Sequence, residues 1–247
     1  MIIVVTFSFV KSQYLAWMLN KSLTSLGIKH VIYFDKDQYI DPLVLNDLNK
    51  NNVDIRYKEN YEGGHGGWPD SMQKINAYRD IVKDYNLQND DWLLDMDDDT
   101  YMCNDSILKL LTNNIDLVGI QHEIPQPSKI GIFAHMSGAC MCMRGEILLK
   151  LLSQSDSFWT ETKDELLDFC FSHMWDVVVS YCLTKVGARS LNMSKVINME
   201  SDSENYFLGN INSNFFHFNY VLKEYLGEPT PNGKYDIPMI LHKKSLI

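Results

Sequence analysis

Long apolar runs are missing from this chain of 247 residues. The longest candidate, the opening MIIVVTFSFV, is apolar for only ten residues, has no basic segment before it and passes straight into Lys11-Ser12-Gln13. A signal peptide or a membrane-spanning helix needs a longer or differently flanked segment, so the expectation is a cytoplasmic protein with no membrane span. Sequons at Asn20, Asn104 and Asn192 carry no weight without a secretory signal. Basic residues are also scarce, with 22 Lys and Arg against 32 Asp and Glu and a net charge of −10. Binding to a nucleic-acid backbone relies on a basic surface that displaces counterions, so nucleic acid is excluded as a general partner. Cysteine is sparse too: five residues (Cys103, Cys140, Cys142, Cys170, Cys182), an odd number without framework spacing. Cys140-Met141-Cys142 lacks the two-residue gap of a zinc knuckle or a redox motif, which leaves buried free thiols in a reducing compartment as the reading. Neither repeats nor low-complexity tracts interrupt the chain.

What is present is enough apolar material, 45% of residues with 12% aromatic, to bury a large core. The pattern predicts strands at Ile2–Thr6, His30–Phe34, Val53–Tyr57 and Trp92–Met96, because short β-branched or apolar runs alternate there with helical spacing. Gln13–Leu26 reads as a helix stopped by Gly27, and a second helix starts near Pro69 and carries Ile75, Tyr78, Val82 and Tyr85 on one face. In the second half, helices are expected near Asp105–Leu111, Glu146–Leu152 and Trp175–Lys185. A strand is expected near Asp116–Gln121, and a glycine-containing segment occupies His135–Met143. Alternation of this kind predicts an α/β protein with parallel strands and helices on the sheet's faces. Ligands of such sheets sit beyond the C-terminal strand ends.

That position is occupied by DWLLDMDDDTYM, residues 91–102, in which Asp95, Asp97, Asp98 and Asp99 follow a buried-strand pattern. Two carboxylates about 4 Å apart repel by roughly 4 kcal/mol at an effective dielectric near 20, so a cluster at a strand end raises its own pKa values or recruits a cation. Oxygen donors select hard divalent ions such as Mg²⁺ or Mn²⁺, and a divalent ion at that place suggests a bound diphosphate. An EF-hand loop starting at Asp95 needs glycine sixth and glutamate twelfth, where this chain has Thr100 and Ser106. The Asp-x-Asp-x-Thr/Val motif of aspartyl-phosphate hydrolases also fails, with Asp99 fifth from Asp95 and Tyr101 fifth from Asp97.

The string D-W-x-L-x-x-DDDTYM resembles the hallmark of glycosyltransferase family 31, the group of β-1,3-galactosyltransferases, core-1 synthase and Fringe. Further segments resemble that family in its own order: SMQKINAYRDIVKDY, HMSGACMCMRGEILLKL, MWDVVVSYCLTKVGA and FFHF. The resemblance runs from about Ile2 to Phe218. It implies a GT-A fold, a Rossmann-like nucleotide-binding sheet with a closely joined acceptor lobe. The nucleotide-binding part would cover about 1–101 and the acceptor part about 102–247, as one domain or as a piece of a longer multi-domain chain. The implied activity is metal-dependent, inverting transfer of a hexose from a UDP-sugar to a glycan acceptor, with galactose favoured over N-acetylglucosamine and glucose.

Under this resemblance Asp97, Asp99 and His217 are the metal ligands for Mn²⁺ or Mg²⁺, with His173 and His242 as rivals to His217. Asp97 and Asp98 also approach the ribose and sugar hydroxyls, Lys74 lies near the nucleotide, and Asp176 is the catalytic base. By their places at strand ends, Thr6, Phe7, Ser8 and Asp35 are candidates to meet uracil and ribose. Trp159 and Trp175 are either acceptor-stacking aromatics or core. The sequence departs from the family at Ser137, Cys140 and Ser180, where glycines are usual, and at Trp175, where a first acidic residue precedes the aspartate. Two other functions compete: a Mg²⁺-dependent phosphohydrolase built on the same acidic lip, and a nucleotide-sugar-binding module without turnover.

Overall fold

The computed structural model of the protein describes residues 1–9, 12–58, 67–98, 100–102, 106–127, 132–192 and 215–217. The chain divides into two compact units drawn from interleaved stretches: Ile3–Asn60, Met96–Leu108 and Ile197–Ile247 in one, Met1–Ile2, Tyr61–Asp95 and Lys109–Val196 in the other. The architecture is α/β, as the alternating pattern predicts.

The unit that contains residues 3–60 is built on three parallel strands: β1 (Ile2–Ser8), β2 (Lys29–Asp35) and β3 (Asp54–Lys58). Their register runs from Ile3 opposite Lys29 to Ser8 opposite Phe34, and from Val31 opposite Asp54 to Asp35 opposite Lys58. Burial of successive residues from Ile3 to Ser8 is the mark of a parallel strand covered on both faces. Helix α1 (Gln13–Ser25) follows β1. It ends where Gly27 takes φ +69 and the Ile28 amide reaches back to the Leu23 carbonyl at 3.1 Å, a reversal that a residue with a Cβ resists. Tyr14, Leu15 and Trp17 of α1 pack on Ile32 and Phe34 of β2 and on Val44 and Leu48; each such side chain contributes roughly 1.5–3 kcal/mol when fully buried.

Val44 and Leu48 belong to α2 (Pro42–Lys50), an element the sequence reading leaves unassigned. Its start is written in the chain all the same. Pro42 opens the first turn, and the Asp41 carboxylate accepts the Leu43 amide at 2.9 Å and the buried Tyr14 hydroxyl at 2.9 Å, a side-chain cap of the usual acidic kind. The same unit contains a two-stranded antiparallel pair, β5 (Thr100–Met102) with β9 (Phe215–His217).

The second unit holds β4 (Trp92–Asp95), β6 (Leu117–Pro125), β7 (Ile132–Arg144) and β8 (Ser190–Asn192). Here the strands are of mixed direction. β4 and β6 both run antiparallel to β7, and only β8 is parallel to β6. Six residues, 126–131, connect β6 to β7, too few for the crossover that parallel neighbours need. The glycine-containing segment is thus the middle of a long strand. Among its described residues the unit also has the helices α3 (Gly67–Tyr85), α4 (Gly145–Leu152), α5 (Asp156–Leu166) and α6 (Trp175–Lys185). The expected helix near Asp105–Leu111 is a 3₁₀ turn, Ser106–Leu110.

Two of these helices bear on the site. On α3 the buried residues Ser71, Lys74, Ile75, Tyr78 and Ile81 recur at the three- and four-residue spacing of one face. Along α6 every residue from Asp176 to Leu183 is buried, so this helix is enclosed all round rather than amphipathic.

Candidate functional site

In the unit that carries α3, β4 and α6, the acidic stretch begins with a residue turned inward. Asp95 is fully buried at the end of β4, and Lys74 Nζ donates to both of its oxygens at 3.0 Å. The Tyr78 hydroxyl also donates to Asp95 Oδ2. Lys74 and Tyr78 stand one helical turn apart on α3, which aims both at one acceptor. Burial pushes the Asp95 carboxyl above the usual carboxylate range, against the pull of the Lys74 charge and of the two donors. Its oxygens are committed to α3.

Lys74 has a second partner. Its ammonium sits over the Trp175 ring, 3.3 Å from the ring centroid, well within the range of a cation–π contact. Trp175 opens α6, and Asp176 follows it, buried, with Oδ1 accepting the Val177 amide at 2.9 Å. A carboxylate in the first turn of a helix is favoured by the exposed N–H groups there. Trp159 is buried, with edge contacts to Phe158 and Trp68. His173 is exposed, its Nδ1 3.0 Å from the Cys170 carbonyl.

The other unit gathers the remaining strand-end residues. Thr6 is fully buried and its Oγ1 lies 3.0 Å from His30 Nε2, while His30 Nδ1 lies 3.2 Å from Asn20 Oδ1. Burial drives the His30 imidazole down to about 3, so it is neutral at physiological pH. Phe7 stacks on Tyr33 with centroids 5.1 Å apart. Thr6 and Phe7 are therefore engaged inside the unit, and Ser8 lies closer to the strand end, its Oγ 3.5 Å from that of Ser12. Asp35, at the end of β2, pairs with Lys58 Nζ at 3.0 Å. Lys58 closes β3 and lies 4.7 Å from the Phe9 ring centroid.

Within that unit the acidic stretch is tied to the turn after β1. The Ser12 hydroxyl donates to Asp98 Oδ2, and the Phe9 amide donates to Ser12 Oγ at 3.1 Å. Asp97 is half-buried, and its carbonyl accepts the Thr100 amide at 3.1 Å. Asp99 lies outside the described residues, as does His242. The backbone of His217 is described: in the β5–β9 pair it stands opposite Thr100, the residue after Asp99. Facing residues of an antiparallel pair have Cα atoms about 4.5–5.5 Å apart, so two positions far apart in sequence become neighbours. Among the described residues no three His, Cys, Asp or Glu side chains form a metal-holding group.

Sequence reasoning missed three participants: Ser12, Tyr78 and Lys58. Tyr78 could have been found from its four-residue offset to Lys74. Ser12 and Lys58 carry no local signal, because their partners Asp98 and Asp35 are distant in the chain.

No family model matches the chain, and neither does any curated protein. Among solved structures, it is similar to a glycosyltransferase involved in the glycosylation of the major capsid of PBCV-1, with 12% identity and a TM-score of 0.48 over 99% of this chain and 98% of that one. It is also similar to 4-diphosphocytidyl-2C-methyl-D-erythritol synthase, with 12% identity and a TM-score of 0.42 over 76% of this chain and 86% of that one. Neither likeness carries an assignment. Among the described residues no helix is long and apolar enough to cross a membrane.

Proposed function

We propose that the protein is a metal-dependent, inverting glycosyltransferase of the GT-A type that moves a hexose, galactose in the first instance, from a UDP-sugar to a hydroxyl of a glycan acceptor. The observation that supports this reading most is the β5–β9 register, with Thr100 opposite His217. It makes neighbours of the acidic stretch and the late histidine, the two parts of the chain that the family resemblance assigns to one ion. Asp97, Asp99 and His217 would hold Mn²⁺ or Mg²⁺, a set of oxygen donors with one imidazole that suits a hard or borderline divalent ion.

Bound there, the cation would act as a Lewis acid on the diphosphate oxygens that gain charge as UDP leaves. The chain's own residues would do the rest. Ser12 holds Asp98 by a hydrogen bond, fixing a carboxylate that would accept from ribose or sugar hydroxyls. Ser8 and Asp35 end adjacent parallel strands, at the edge where nucleotides bind in such sheets. Asp176 would accept the proton of the attacking hydroxyl, the general-base role that displacement with inversion requires.

Calorimetric titration of UDP into the protein with Mn²⁺, repeated with chelator, tests this function. Binding that requires the metal is expected. No binding in either condition would reject the reading. Asp176→Asn should then abolish transfer while UDP affinity stays unchanged, since a base acts only as the reaction proceeds.

A further inference from the structure

From the Lys74 contacts we infer that Lys74 is a positioning residue: anchored by Asp95, it holds the Trp175 ring and through it the first turn of α6, which carries Asp176. The inference rests on the reading of Asp176 as the base, and it gives Lys74 a role other than contact with the nucleotide.

Three observations lead there. Lys74 is 5% exposed and Asp95 fully buried, so the ion pair is shielded from water and its geometry is fixed from both sides by the 3.0 Å contacts and by Tyr78. A buried ammonium whose donors reach two carboxylate oxygens has little freedom left. The Trp175 ring covers that ammonium at 3.3 Å, a contact that is stronger the less water reaches it. Trp175 is also the residue directly before Asp176, at the start of α6, where the Met174 side chain makes no capping hydrogen bond. The Asp176 side chain accepts the Val177 amide, which orients it within the turn. The ring on the buried cation adds an anchor to that turn beside the packing of the buried Val177 and Val178, and a base displaced by about 1 Å can lose on the order of 100-fold in rate.

The test uses the full chain and compares wild type, Trp175→Leu and Trp175→Phe. Mn²⁺-dependent UDP affinity is measured by calorimetry, and the rate and KM for UDP-galactose are measured by UDP release with a panel of simple glycan acceptors. Trp175→Leu, which removes the π face, should lower kcat by about 10- to 100-fold while KM for UDP-galactose and the Kd for UDP stay within about twofold. Trp175→Phe, which keeps a ring over the ammonium, should recover most of the rate. Lys74→Met alone strands a buried carboxylate and can unfold the unit, so Lys74→Met is combined with Asp95→Asn, and this pair should match Trp175→Leu.

Amide hydrogen exchange supplies a readout that needs no activity. Val177 to Val179 should exchange faster in Trp175→Leu, with the centre of α1 unchanged. An unaltered kcat in a transfer-active Trp175→Leu protein would overturn this inference alone. Loss of UDP affinity in step with rate would also overturn it, by returning Lys74 to the nucleotide. A wild type that binds no UDP with Mn²⁺ would overturn the proposed function and this inference together.

Discussion

Lowering the pH should destabilise this protein through one imidazole, beginning near pH 6.5. His30 is enclosed among Thr6, Asn20 and the strands around them, and burial alone lowers it from 6.5 to about 3. Its neutral form is satisfied on both nitrogens. A group whose folded pKa lies below its unfolded value contributes no penalty above the unfolded pKa, and it costs stability progressively as pH falls from there. The window therefore opens near pH 6.5 and closes near pH 3. At about 1.36 kcal/mol per pH unit the whole effect is roughly 5 kcal/mol, of which about 2 kcal/mol has already gone at pH 5. For a domain with about 5–15 kcal/mol in hand, that is a visible fraction.

Urea unfolding followed by tryptophan fluorescence at pH 8 and pH 5, for wild type and His30→Gln, isolates this contribution. Wild type should lose about 2 kcal/mol more than the variant across that interval. Asp95 acts in the opposite sense, because its carboxyl is raised: the stability it gives is present at low pH and declines as pH rises through its folded value. It is common to both proteins and cancels in the difference. Equal losses in wild type and His30→Gln would refute the assignment of a buried neutral imidazole.

Asp99→Ala should weaken UDP binding in the presence of Mn²⁺ by at least tenfold and leave binding in chelator unaltered; equal affinities in Mn²⁺ would remove Asp99 from the metal set. Gly145→Ala should cost about 2–4 kcal/mol or prevent folding, since a Cβ there would meet the Gln88 carbonyl oxygen at 2.0 Å; a fall of under 0.5 kcal/mol in chemical denaturation would contradict this. Asp41→Ala should cost about 2–3 kcal/mol by the same measurement, from the lost helix cap and the stranded Tyr14 hydroxyl. A thiol reagent should label Cys170 rapidly in the folded protein. Cys140, Cys142 and Cys182, all buried, with Cys182 pushed up to about 12 by burial, should react only on unfolding; early labelling of any of the three would contradict it.

The helices and strands that the sequence revealed best are those whose burial repeats locally. β1 and β2 extend by one or two residues beyond the expected spans, and α6 has the expected bounds, Trp175–Lys185. Direction was less legible, because parallel and antiparallel neighbours to β7 depend on the length of the connections rather than on the composition of the strands. In the candidate site, the acidic stretch was conspicuous as a charge anomaly, but its members differ in ways that spacing hides. Asp95 falls on the inward side of β4 and is consumed by Lys74 and Tyr78, whereas Asp98 meets Ser12. Thr6 looked like a strand-end contact and is a partner of His30, since the strand continues two residues farther than its β-branched run. Polar residues inside the core resemble polar residues at a site until their partners are known.

The uneven pairing of β6 with β7 bears on how such a chain changes over generations. Gly119 faces Met141 and Gln121 faces Met136, so Ile120 stands against the four residues from Ser137 to Cys140. The register shifts there, and the pairs before and after it, Leu117 with Met143 and Ile124 with Phe133, are aligned on either side. A codon gained or lost within Ser137–Ala139 should leave the pairs on either side of the shift in register, whereas the same change between Met141 and Arg144 would slip the register with β4 and reverse which side chains face the core. Descendants of this chain can therefore vary in length at the bulge while the sheet is inherited unaltered.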